Sequence, residues 1–160
     1  MDNDKLLETV NQKFTEYLIE NKCRKTQERY AILNLIYSSN RHFDMDSLYK
    51  AMTEQNFRVS RATLYNTMQI LLDCNLVLKH QFGHNLSFYE RAYNNELHHH
   101  IICTNCNAIR EYKNNELKSV IQNRTIKNFS VTHYRLYVFG ICNSCSRKMK
   151  VKKNINIKNL

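Results

Sequence analysis

The chain has no proline, no tryptophan and only two glycines among its 160 residues. It therefore carries no linker of the flexible Gly/Ser type or the stiff Pro type. No stretch is apolar over the roughly 18 residues that a membrane helix needs, so no membrane span is expected. Asp2, Asp4 and Glu8 occupy the N-terminus, where a secretory signal would be basic and then apolar. Acidic residues are scarce from residue 97 onward, with 2 acidic against 12 basic residues. Residues 1–96 hold 12 of each, so the whole net charge of +10 arises in the second part. Such a balance points to a polyanionic partner. It does not locate a binding face, because six of the positive charges lie in the tail, at Arg147, Lys148, Lys150, Lys152, Lys153 and Lys158. Local charge is more telling: Lys22, Arg24, Lys25, Arg29 and Arg41 are opposed only by Glu28 across residues 21–41.

Cysteine is present in an informative pattern. Four of the six cysteines form two pairs, Cys103-x-x-Cys106 and Cys142-x-x-Cys145. A tetrahedral zinc takes four soft ligands, and each pair supplies two from one tight turn. The expectation is a structural zinc that pins two distant segments of one small domain. Two disulfides or free buried thiols are the alternatives on spacing alone. A reducing cytoplasm suits the thiols.

His98, His99 and His100 directly precede the first pair. Side chains alternate along a strand, so His98 and His100 share one face and His99 takes the other with Cys103. One hairpin register places Glu111 opposite His100. Imidazole and carboxylate together suit ferrous iron, manganese or zinc, which predicts a second, exchangeable metal site. A solvated histidine run is the bland alternative.

The first part reads as four helices and a hairpin. Leu6, Leu7, Val10, Phe14, Tyr17 and Leu18 recur at helical spacing over residues 4–20. Thr26, Asp44 and Ser60 are each placed to cap a following helix. In the fourth, from Arg61 to about Asp73, Leu64, Met68, Leu71 and Leu72 form the apolar stripe. Arg61, Tyr65, Asn66 and Gln69 lie off it, as in a helix-turn-helix that reads bases. An ordinary surface helix has the same polarity. Two alternating runs, residues 76–82 and 86–89, flank Gly83-His84-Asn85 and read as a wing. On this reading His80 and His84 are wing or backbone-contacting residues and not metal ligands. Residues 97–102, 108–113 and 129–140 read as strands, with a helix over about 115–127, and a unit this small calls for a partner copy. The chain thus reads as α+β: an N-terminal winged helix-turn-helix, residues 1–91, then a small α/β metal-binding dimerisation domain with the four-cysteine zinc site, residues 92–146. A basic, disordered tail, residues 147–160, completes it.

Three segments together resemble the ferric uptake regulator family: Ser60-Arg-Ala-Thr-Leu-Tyr65-Asn-Thr-Met, His98-His-His-Ile-Ile-Cys103-Thr-Asn-Cys106, and Leu136-Tyr-Val-Phe-Gly140-Ile-Cys142-x-x-Cys145. Thr26-Gln27-x-Arg29 followed by Ile32-Leu33 is similar to the family's second helix, without its usual proline. The resemblance spans about residues 10–146. It implies a cytoplasmic, homodimeric, metal-dependent transcriptional repressor that binds a two-fold symmetric, A/T-rich DNA operator, and not an enzyme. No HExxH helix or nucleophile motif supports a zinc hydrolase, and a zinc-ribbon interaction module is the other rival. Carried over residue by residue, Lys25, Arg29, Arg61, Tyr65 and Asn66 would contact DNA. The regulatory metal would be held by His42, Glu90, His98, His100 and Glu111, bridging the DNA-binding and dimerisation sides and setting the angle between them. Glutamate at both 90 and 111 resembles the iron-responsive branch and so implies Fe2+, with Mn2+ or Zn2+ as alternatives. The peroxide sensors tend to carry aspartate there. A third site would use His99 and His133, although Leu97 and Lys118 replace expected ligands and Tyr134 takes the usual histidine position. Cys23 and Cys74 match no family metal position, and Cys74 reads as a small core residue.

Overall fold

The computed structural model describes residues 3–39, 41–82, 86–93, 98–122, 128–129 and 134–149. The chain divides into two compact units, Met1–Asn95 and Glu96–Leu160. In the first unit, helices α1 (Asn3–Glu20), α2 (Gln27–Tyr37), α3 (Met45–Glu54) and α4 (Arg61–Asp73) precede an antiparallel hairpin of β1 (Val77–Phe82) and β2 (Leu86–Arg91).

The capping chemistry sets where these helices start. Asp44 accepts the Ser47 N–H while the Ser47 hydroxyl accepts the Asp44 N–H, closing a capping box on α3. Ser60 accepts the Thr63 N–H at the head of α4. Thr26 stands at the N-cap of α2 but makes no side-chain cap bond. Its hydroxyl serves Glu28 instead and helps, with the Glu28 backbone N–H, to hold that carboxyl below its usual range.

The scarcity of glycine shows where the helices end. Three of them close in the same paired-bond motif, normally completed by a glycine in the left-handed region. Cys23 N–H reaches Leu18 O and Lys22 N–H reaches Ile19 O after α1. Phe57 and Asn56 repeat the pattern after α3, and Leu76 and Asn75 after α4. The left-handed position is held by Lys22 (φ 53), Asn56 (φ 58) and Asn75 (φ 55). Asparagine tolerates that conformation, whereas lysine has no such local compensation.

The core of this unit joins Leu6, Val10, Phe14 and Leu18 of α1 to Ile32, Leu33 and Ile36 of α2, Met52 of α3, and Leu64, Met68 and Leu71 of α4. Two details of α4 differ from expectation. Thr67 and Ile70 are buried, and Leu72 is only half-buried. Tyr37 is fully buried, donates to Leu76 O at 2.7 Å and accepts the Tyr93 N–H at 3.2 Å. Burial pushes its phenol up to about 12. Cys74 packs against the core, as its apolar neighbours suggested.

The second unit has a three-stranded sheet in the order β4-β3-β5. β3 (His99–Cys103) pairs antiparallel with β4 (Ile109–Tyr112) and parallel with β5 (Tyr137–Gly140), with α5 (Asn115–Gln122) between β4 and β5 in the chain. Two expectations need correction. Of the long strand expected over 129–140, the described residues place β5 at Tyr137–Gly140, with 134–136 irregular; residues 130–133 lie outside the described residues. Residues 143–149 are helical, which corrects the expected disorder at 147–149; residues 150–160 lie outside the described residues. The wing turn, residues 83–85, and His133 lie outside the described residues.

Candidate metal centre

Cys103 and Cys106 sit on the turn between β3 and β4. The turn is fixed by Asn107 N–H to Cys103 O and Cys103 N–H to Ala108 O, with Asn107 in the left-handed region. Cys142 and Cys145 lie at the start of the 143–149 helix, where Ser146 N–H reaches Cys142 O. Spacing of three along a helical turn puts both sulfurs on one side. One sulfur from each of the four cysteines lies within 4.8 Å of all the others, and Cys106 Sγ to Cys142 Sγ is 3.8 Å. A disulfide needs about 2.05 Å. A tetrahedron with zinc–sulfur bonds of about 2.3 Å has edges of about 3.8 Å. The cluster therefore fits a structural zinc and not two disulfides, in keeping with the expectation.

The electrostatics agree. Backbone N–H groups of Cys142, Cys106 and Asn105 hold the Cys103 thiol down at about 6, which favours the thiolate a metal requires. The Cys145 N–H likewise lowers Cys142. The Ala108 N–H pulls Cys106 down, yet the sulfurs of Cys103 and Cys145 push it up to about 11. Crowded thiolates repel one another, and a cation between them removes that repulsion.

Each unit also carries nitrogen and oxygen donors. In the second, His98 and His100 have ring centroids 4.8 Å apart and are buried, and His100 pairs with Glu111 across β3 and β4. That register is the one anticipated from the alternation. In the first, an antiparallel bridge joins Phe43 to Tyr89, with backbone bonds of 2.9 and 2.7 Å. It delivers His42 beside Glu90, with Nε2 3.2 Å from Oε2. His80 Nε2 lies 2.6 Å from Glu90 Oε1. Both His80 and Glu90 are buried. His80 lies on wing strand β1 as expected, but its ring is turned inward against Glu90. It sits on the same face of the hairpin as Glu90, one pair away, because Leu78 faces Glu90 and His80 faces Phe88.

The exposed side of α4 carries Arg61, Tyr65, Asn66 and Gln69. Arg29 links α2 to this helix, donating to Asn66 Oδ1 at 2.9 Å and to Arg24 O at 2.6 Å. Arg61 donates to Asp46 Oδ1 at 2.8 Å and lies 4.7 Å over the Tyr49 ring. Lys25 is exposed just before α2. Tyr65 is 53% exposed, a large aromatic surface for a helix with a well-packed opposite side.

A sequence model described as the Ferric uptake regulator family matches residues 20–139. The peroxide-responsive repressor PerR of Staphylococcus aureus is 33% identical over 128 residues, 78% of this chain and 84% of that protein. The chain belongs to the ferric uptake regulator family. Among solved structures, the Helicobacter pylori ferric uptake regulator, described as having three functional metal-binding sites, superposes with a TM-score of 0.73. It is 19% identical, with 88% of this chain and 93% of that one covered. The iron-containing ferric uptake regulator of Francisella tularensis gives a TM-score of 0.65 at 25% identity, over 77% and 94% of the two chains. The family is one of metal-responsive, DNA-binding transcriptional regulators, and the winged-helix unit and cysteine cluster described above fit it.

For the family's third site, the structure describes only one of the two expected histidines. His99 is buried, and its Nδ1 has no hydrogen-bond partner among the described residues. Its ring is 5.7 Å from that of Tyr134, whose buried hydroxyl is likewise unpartnered among them. The residue that sequence reasoning missed is His80. The signal was available, because a turn centred on His84 mirrors residue 80 onto 88 and residue 78 onto 90.

Proposed function

We propose that the chain is a homodimeric repressor whose binding to a two-fold symmetric, A/T-rich operator depends on ferrous iron at His42, Glu90, His98, His100 and Glu111. The observation that carries this reading is the coexistence of two donor sets of different chemistry. One is all sulfur, and the other is imidazole and carboxylate. Harder donors of the second kind suit an exchangeable Fe2+ or Mn2+. A ligand that binds one conformer of the protein better shifts the population toward it, and that coupling is how a metal would control DNA affinity. Arg61, Tyr65 and Asn66 on α4 would read bases, with Lys25 and Arg29 on phosphates. Residues 1–91 would then act as the DNA-binding domain and residues 92–146 as the dimerisation domain. Dimerisation is supported by the apolar side chains exposed around edge strand β5, namely Val138, Phe139 and Ile141, with Phe129 nearby in sequence. A second copy would cover such an edge. A cytoplasmic setting would keep the cysteines reduced and free to bind metal.

A second reading is favoured by the 33% identity to a peroxide-responsive repressor. Glutamate at 90 and 111, where the peroxide sensors tend to carry aspartate, favours the iron reading. Anaerobic fluorescence anisotropy on a palindromic A/T-rich duplex pool tests both, with ferrous iron, manganese and zinc titrated separately at fixed salt. Binding that requires ferrous iron or manganese and survives brief peroxide supports the iron repressor. Loss after peroxide supports the peroxide sensor. Binding that is equal without added metal overturns both.

A further inference from the structure

We propose that His42, His80 and Glu90 form a divalent-cation site complete within the first unit, with His80 as a ligand additional to the regulatory set. The inference deepens the regulatory reading and shares His42 and Glu90 with it. It stands on contacts inside Met1–Asn95 alone.

Three independent backbone features bring the donors together. β1 supplies His80, β2 supplies Glu90 two residues away in register, and the Phe43–Tyr89 bridge fixes the segment bearing His42. Phe43 and Tyr89 also stack at 5.8 Å, which holds that bridge in place. One donor atom from each residue lies within 4.8 Å of the others. The two nitrogen-to-oxygen separations are 2.6 and 3.2 Å. Adjacent ligands at about 2.1 Å from an octahedral metal stand about 3.0 Å apart, close to both separations, with each nitrogen facing its own Glu90 oxygen. The set is two imidazoles and one carboxylate. Such a facial triad leaves open positions and is characteristic of ferrous iron. The side chains of His80 and Glu90 are 2% and 8% exposed and that of His42 13%, so little water competes for the carboxylate. A hydrogen-bonded trio without metal would produce similar distances, and the two cases differ in one respect. A hydrogen bond to Glu90 needs only an N–H at position 80, whereas a ligand needs the imidazole lone pair. The consequence for the sensor is that the DNA-binding unit would capture metal by itself, before His98, His100 and Glu111 engage it.

The test uses the full chain with its cysteines filled by zinc, anaerobically, and Co2+ as the spectroscopic probe. The H98A/H100A variant is expected to bind one further Co2+ per chain, more weakly than the parent because two direct donors are gone. Its visible bands should lack the sulfur-to-cobalt absorption of a thiolate site. Adding His80→Ala should abolish that binding. Adding His80→Gln instead keeps an N–H donor for Glu90, and it should also abolish binding while leaving the thermal melt of the parent unchanged. No uptake by H98A/H100A, or uptake that persists with His80→Gln, overturns the proposal. DNA binding by the parent is measured alongside. If the parent responds to metal but H98A/H100A takes up no cobalt, the repressor reading stands and the triad falls. If the triad binds cobalt but DNA binding ignores metal, the reverse holds.

Discussion

Replacing Asp46 by Asn asks whether Arg61 reads DNA. In the free protein Arg61 is occupied: it donates to Asp46 at 2.8 Å and covers the Tyr49 ring at 4.7 Å. Both side chains of the ion pair are largely exposed, 58% for Arg61 and 80% for Asp46. An exposed pair of this kind is worth about 0.2–1 kcal/mol. If Arg61 must leave Asp46 to meet a base or a phosphate, weakening the pair returns that amount to binding. At about 1.4 kcal/mol per factor of ten, D46N should tighten the operator complex by roughly 1.4- to 5-fold. Deleting a negative charge near DNA would also tighten binding through phosphate repulsion, whatever Arg61 does. A double-mutant cycle separates the two causes. The gain from D46N should vanish in the R61A background if Arg61 is the reader. Anisotropy at saturating metal and fixed salt measures all four proteins, and circular dichroism checks that α3 tolerates the change in its first turn. An equal gain with and without Arg61, or none at all, would refute the argument.

Three further outcomes follow from the structure. Cys142→Ser removes one corner of the sulfur tetrahedron, so zinc per chain should fall from one to near zero and the second unit should lose its fold; metal analysis with near-ultraviolet circular dichroism reads both. A structural zinc can supply about 10–16 kcal/mol of binding free energy, far more than a small unit has to spare. Lys22→Gly replaces a lysine at φ 53 with a residue suited to it, and should raise stability by about 0.5–1 kcal/mol and the Tm by a few degrees. Tyr37→Phe leaves the Tyr93 N–H without the hydroxyl that accepts it, while Leu76 O keeps the Ala92 N–H, and should cost about 1–3 kcal/mol in denaturant titration. The parent's phenol is raised from 10.0 to about 12 on folding, so its neutral form is the one the fold prefers. That contribution is fully present below pH 10 and is lost as pH rises toward 12, a loss that Tyr37→Phe should not show.

Much of this was legible from local chemistry. Asp44 and Ser60 marked helix starts because a side-chain oxygen three residues from an amide is a short-range relation. The cysteine pairs announced a metal because two donors per turn is likewise local. The His100–Glu111 pairing followed from period-two alternation across a short turn. What escaped was set by longer-range relations. His80 looked like any wing residue until the register of the hairpin put it beside Glu90, and the Phe43–Tyr89 bridge brought His42 from 38 residues before His80 in the chain. The 143–149 helix was hidden by composition, since Arg147 and Lys148 read as the start of a basic tail. Its role in placing Cys142 and Cys145 on one side outweighs that polarity. The alternation ahead of Tyr137 suggested a longer strand, but alternation does not by itself supply a pairing partner, and among the described residues the ladder with β3 covers Tyr137–Gly140, with Leu136 O accepting from His100 N–H.

The separation of donor types explains how one small chain can hold one metal permanently and respond to another. Four sulfurs at tetrahedral spacing leave no open position on the ion, and three backbone amides aimed at Cys103 favour its thiolate in advance. A metal there is part of the fold and exchanges slowly. The histidine and carboxylate donors are different. His80 and His42 approach Glu90 from separate elements, while His98, His100 and Glu111 belong to another unit. A metal held by donors from both units, as proposed above, would have to offset the ordering they require. Occupancy of that proposed site would then track both free metal and conformation, the dependence that a reversible regulator needs.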